Sequence, residues 1–168
     1  FVVGIDGSHT ADIAISQRLQ HLGDANTYLD FPLNDTFDLV AGGNSFLKYD
    51  SGNILINNAN ANVDMKVMAD DGNVILMTDA STNRTGIGIT TPQSTLHVHA
   101  DSIDNGTVTI SQSDNSGDAS QLDISKSRGT GASPSDVQSG DFVGQVRFLG
   151  YEGSSYQNFA DIYAQTAG

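Results

Sequence analysis

"YDSGNILI" (49–56) and "ADDGNVIL" (69–76) are one phrase written twice. Asp50 aligns with Asp70, Gly52 with Gly72 and Asn53 with Asn73, and an apolar triplet follows each. Asp, Gly and Asn make tight turns, because the acid and amide bond the neighbouring backbone and all three tolerate positive φ. The apolar triplet then reads as a strand. A degenerate third copy is the turn and short strand of "NRTGIGI" (83–89). Units of about 20 residues, each a turn plus a strand, cannot bury their own hydrophobic face and must stack on neighbours. The repeat predicts an elongated β object rather than a compact enzyme.

Composition agrees. Glu152 is the only glutamate among twenty acidic residues, and there are 18 glycines and three lysines. Glutamate and lysine favour helices, whereas Asp, Asn, Ser and Gly supply turns. The chain is therefore expected to be all-β. With 168 residues it is long enough for one ordinary domain or two small ones. It starts Phe-Val-Val and is read as part of a longer polypeptide. The net charge of −13 argues against nucleic acid as a partner, since phosphate binding needs a surplus of Lys and Arg on one face. No run approaches the roughly 18 apolar residues of a membrane helix, so membrane insertion is not expected. The absence of cysteine excludes disulfides and thiolate metal sites.

Strand-like runs recur along the chain, each closed by turn residues: 1–5, 27–31, 36–41, 45–49, 53–57, 63–69, 73–78, 106–112, 120–125, 142–151 and 159–165. Only "ADIAISQRLQHL" (11–22) is ambiguous between strand and short helix. After His99 the composition shifts to Ser, Asp and Gly, with long polar loops at 111–120 and 127–141, so a soft boundary is placed near residue 100.

"NRTGIGITTPQSTLHVHA" (83–100) carries the most suggestive chemistry. A phosphate-binding loop would need its glycines to open a helix, usually with a lysine. Here an alternating strand follows and lysine is absent, so Gly86 and Gly88 read as a tight turn. His97 and His99 flank Val98, which puts both imidazoles on one strand face. Two histidines per chain do not make a metal site, but three chains around a threefold axis would offer six. The alternative is a solvent-facing histidine pair opposite a buried Leu96/Val98 face. Asp-rich turns at 70–73, 101–106 and 114–118 lack the spacing of a calcium loop. No nucleophile elbow accompanies His9, His21, His97 or His99. Catalytic residues and cofactors are therefore expected to be none. Asn34, Asn83 and Asn105 match the glycosylation pattern and sit at turns.

Three stretches together resemble the fibre and appendage proteins of tailed bacteriophages, especially marine ones. "QHLGDANTYLDFPLNDTFDLVAGGNSFLKYDSGN" (20–53) resembles a recurrent fibre unit in which a His-x-Gly-Asp turn leads to a strand and an Ala-Gly-Gly hairpin. "TGIGITTPQSTLHVHA" (85–100) resembles a Gly-Ile-Gly-Thr-x-x-Pro…Leu-x-Val motif of such fibres, with Ile89 where Thr is common. Residues 125–168 resemble a module often placed before a C-terminal intramolecular chaperone, with Glu152 where Asp is usual. The chaperone with its catalytic serine is not in this chain, so the resemblance carries over no catalytic residue.

The resemblance implies a non-enzymatic virion structural protein, located in the tail fibre and probing or projecting toward a host receptor. Its partners would be copies of itself as a homotrimer, other tail or baseplate proteins, and a host surface glycan or protein. Short strands and turns in repeated units would form a fibre-like, shaft-like region over 1–100. A small β-sandwich-like unit over 101–168 would continue beyond Gly168. The alternatives are a capsid-decorating or whisker protein, a capsule-degrading tailspike, and a non-viral surface filament or adhesin subunit.

Overall fold

A computed structural model describes residues 17–102, 106–115 and 117–167. The candidate strand at 1–5, residues 11–16 of the ambiguous segment, and Asn105 lie outside the described residues. Every regular element among the described residues is a β-strand, as the composition predicts. The chain divides into two units, Phe1–Val108 and Thr109–Gly168.

The first unit holds two sheets. One is an antiparallel meander of β1 (Arg18–Gln20), β2 (Tyr28–Asp30), β3 (Phe37–Ala41), β4 (Asn44–Asp50) and β5 (Asn53–Ile56), paired in chain order. The described end of the ambiguous segment is thus a strand. Arg18 lies 3.6 Å over the Tyr28 ring and 3.4 Å from Asp30, tying the edge strand to its neighbour. Val40 is buried, and the buried Ser45 opposite it donates to Asp38 at 2.5 Å. Phe37 and Tyr49 are register partners with stacked rings. The hairpin β4–β5 turns on Ser51 and Gly52, both at positive φ, the conformation whose twist matches the flanking strands.

The other sheet contains β6 (Met65–Met68), β7 (Val74–Asp79), β8 (Arg84–Ile87) and β9 (Leu96–Val98). The second copy of the repeated phrase makes the β6–β7 hairpin, with a longer turn. The Gly72 N–H donates to the Ala69 carbonyl, and the Asp71 carboxylate accepts from the Asn73 N–H at 2.9 Å. Met77, on the central strand, is buried at 4 % exposure. β6, β7 and β8 pair antiparallel, whereas β9 runs parallel to β8.

The second unit is two hairpins: β10 (Arg128–Thr130) with β11 (Ser133–Ser135), and β12 (Phe142–Glu152) with β13 (Ser155–Gln165). The small sandwich-like unit expected here is, among the described residues, these two two-stranded sheets. Two further expectations change. Residues 106–112 and 120–125 alternate like strands but have no ladder partner among the described residues. The polar loop 127–141 contains the β10–β11 hairpin.

Val40 and Met77 are the buried hydrophobic residues among those described, and no side chain is fully buried. At about 1.5–3 kcal/mol per buried side chain, set against about 1–2 kcal/mol of backbone entropy per ordered residue, this is a small core.

Candidate functional site

The glycine–histidine segment folds as a strand, a tight return and a second strand. Parallel neighbours ordinarily need a crossover of a dozen or more residues. Here the connection is residues 88–95. Arg84 pins it by donating from Nη1 to the Pro92 carbonyl at 3.0 Å, and Pro92 itself is buried. The Thr85 N–H donates to Thr95 O at 2.8 Å, and the His99 N–H to Ile87 O at 2.9 Å, closing both ends. The glycines make room for this return. A Cβ on Gly86 would lie 2.6 Å from the Ile89 carbonyl oxygen. Gly88 stands at φ +70°, and a Cβ there would collide with the His99 carbonyl. The motif is therefore backbone packing, the scaffolding that its lack of lysine suggested.

His97 and His99 do come together, with ring centroids 6.0 Å apart in an edge-on arrangement. His97 Nδ1 faces the Gln93 N–H at 3.4 Å, and His99 Nε2 lies 2.9 Å from Asp101 Oδ1. Among the described residues no group of three metal-ligating side chains converges. The opposite face does not bury as expected: Leu96 is 59 % exposed, while Val98 is half-buried.

A cleft of about 510 Å³ opens beside β5 to β8, lined by Asn57, Met65, Asp79 and Arg84 among others. Its ionic groups are already bonded to neighbouring turn and loop residues. Asp79 accepts from the Ser81 and Thr82 hydroxyls at 2.6 and 2.7 Å, and these bonds hold its carboxyl below the usual range. Arg84 is committed to Pro92. The turns at 70–73 work likewise, with Asp71 held low in pKa by the Asn73 N–H and side-chain amide.

Sequence reasoning missed the most concentrated ionic site. Asp141 is 11 % exposed and accepts two bonds from Arg128, at 2.8 Å to Nε and 2.7 Å to Nη2. The Gln138 N–H adds a third at 3.0 Å, and Lys126 Nζ stands 3.4 Å away. Arg128 first, then the Gln138 N–H, hold the Asp141 carboxyl far below the ordinary carboxylate range. This clamp joins β10 to the start of β12. An isolated Arg and Asp thirteen residues apart give no sequence signal for it.

The β12–β13 ribbon presents two unlike faces. Register puts Val146 opposite Ile162 and Phe148 opposite Ala160 on one of them. The Phe159 ring joins that face, since a Cβ on Gly150 would meet it at 2.7 Å. The other face carries Gln145 opposite Tyr163, Arg147 opposite Asp161 and Tyr151 opposite Tyr156. Edge-on ring pairs form there, Tyr151–Tyr156 at 5.4 Å and Phe142–Tyr163 at 5.2 Å. Val146, Phe148, Phe159 and Ile162 are all exposed.

Neither a family model, nor a curated protein, nor a solved structure matches the chain.

Proposed function

We propose that this chain is a structural segment of a tailed-bacteriophage fibre or related virion appendage, non-enzymatic and assembled as a homotrimer. It holds or forms an element that meets the host surface, where a glycan or protein is bound, and it joins other tail or baseplate proteins. The observation that carries the oligomer is exposed apolar surface. Among the described residues Val40 and Met77 are the buried hydrophobics, whereas Leu22, Leu33, Ile54, Val108, Leu122 and Ile162 are 68–96 % exposed. Large apolar side chains left open in this way mark interaction surfaces. Copies wound together would supply the core that Val40 and Met77 alone do not make. The fibre assignment is supported by the three serial motifs, and by the use of glycine and aspartate for turn and strand packing at 69–73 and 84–99.

Three measurements test this. Light scattering should give a mass of three chains, and a stable folded monomer at micromolar concentration would refute the assembly. Labelling on intact particles should place the chain on the tail; a head position favours a decorating protein. Depolymerisation of host capsule by the assembled protein would replace the structural reading with a tailspike.

A further inference from the structure

Residues 107–111 and 121–125 have the sequence of strands and no strand partner among the described residues. In "TVTIS", Val108 and Ile110 alternate with Thr and Ser; in "QLDIS", Leu122 and Ile124 alternate with polar residues. Thr, Val and Ile suit a pleated, half-buried surface. Yet no backbone group of either segment bonds the backbone of another described residue. Among the described residues the Ile110 carbonyl receives the Ser120 hydroxyl, at 3.3 Å. Val108, Ile110, Leu122 and Ile124 all stand exposed. Backbone N–H and C=O groups are obligatory bonding groups, and an alternating apolar row left open in water gains nothing from its pattern.

The ribbon offers the complementary half. A two-stranded sheet has two open edges and is marginal by itself; a third strand or a covered face is needed for independent stability. The chain's own segment does not supply that strand. Ile124 lies across the ribbon's apolar face, where a Cβ on Gly144 would come 2.6 Å from Ile124 Cγ2, and no other described strand pairs with the outer edges of β12 and β13.

We infer that residues 107–111 and 121–125 become strands in the assembled protein, their backbones paired by a second copy of this chain. The same contact buries Val108, Ile110, Leu122 and Ile124 together with Val146, Phe148, Phe159 and Ile162. Charge favours a copy of the same chain as the occupant. Within a chain of net charge −13, segment 107–111 has no charged residue, segment 121–125 has only Asp123, and residues 142–165 hold only Arg147, Glu152 and Asp161. Arg147 stands opposite Asp161 in the register, so like charges are not forced together there. These side chains are among the large apolar residues the single chain leaves exposed, and such contacts would cover them. The inference rests on the homo-oligomeric reading, and names which segments and which ribbon face make it.

Amide hydrogen exchange on the full chain, with light scattering on the same sample, tests it. Amides of 107–111 and 121–125 should exchange about a hundredfold or more slower than in an unstructured chain, like those of β12 and β13. The Leu122→Asp variant removes an exposed side chain from the isolated chain's surface. It should dissociate the assembly and abolish that protection while the amides around Met77 stay protected. Unprotected segments in a sample that is oligomeric overturn this inference and leave the oligomer standing. Protection that persists in a monomer also overturns it, since the partner strand would then be internal. A monomeric, unprotected wild-type sample overturns both readings.

Discussion

Gly88 stands at φ +70° with the His99 carbonyl where a Cβ would go, and Gly52 at φ +85° with open space around it. The pair separates two costs. A left-handed alanine costs about 1–2 kcal/mol, and overpacking adds about 1–3. Gly52→Ala should therefore lose about 1–2 kcal/mol and Gly88→Ala about 2 or more, read from denaturant midpoints of the two variants. Equal losses would mean that the β8–β9 return relaxes around the new methyl group. The ionic clamp makes a different statement. Asp141 has a folded pKa depressed by Arg128 and by the Gln138 N–H, so its contribution is present above the unfolded value and lost as pH falls through the folded one. Asp141→Asn should be less stable than the parent at neutral pH. The gap should start to shrink below about pH 4, the unfolded carboxylate value. A gap constant from pH 7 down to the lowest pH at which the fold survives would show that the carboxylate charge is not what the clamp uses. For the histidine pair, both imidazoles already have polar neighbours in Gln93 and Asp101. Chelator-washed protein is expected to carry no stoichiometric metal; one metal per three chains, lost in His97→Ala, would establish the threefold site instead.

Hairpins are the element-scale unit, and the repeated phrase uses two turns to make them. Ser51 occupies the first position of the β4–β5 turn at φ 51°, a conformation that asparagine tolerates better. Ser51→Asn creates the Asn-Gly pair favoured in such turns and should raise stability by a few tenths to about 1 kcal/mol. A loss would mean that the Ser51 hydroxyl bond to Asp50, 2.9 Å, outweighs the backbone preference. Hairpins of this kind were legible: alternation between turn residues marks β3, β4, β5, β7 and β12 within a residue or two of their ends. Alternation states a preference for the pleat, not the identity of the partner. That is why residues 106–112 and 120–125 read as strands and are unpaired among the described residues. It is also why the parallel order of β8 and β9 had no sequence signal. The β10–β11 hairpin was hidden for the converse reason. "RGTGASPS" (128–135) has turn composition throughout, and Arg128 is fixed by a bidentate bond to Asp141 that only the folded chain brings together. The histidine pair was legible because it depends on a period of two; the buried partner face expected beside it was not, because burial depends on neighbours outside the strand.

At the scale of the whole molecule, the proposed assembly and the chain's charge oppose each other, and salt decides how visibly. Each chain carries −13, so bringing three together sets strong like charges against the burial of apolar surface. The contacts inferred to do the joining are apolar side chains and backbone ladders, which salt does not screen. The repulsion is spread over exposed aspartates and is screened, over about 30 Å at 0.01 M salt but only about 3 Å at 1 M. The sign follows. Raising ionic strength should strengthen the assembly, whereas a complex held by surface ion pairs would weaken. Sedimentation of the full chain at a fixed micromolar concentration should show the smaller species, if any, at about 0.01 M salt, and the trimer alone toward 1 M. Repeating the series with Leu122→Asp should move the transition to higher salt, because that variant adds charge and removes apolar area at one place. An assembly that falls apart as salt rises would assign the contacts to the few cations instead, with Arg147 and Lys66 the first to replace.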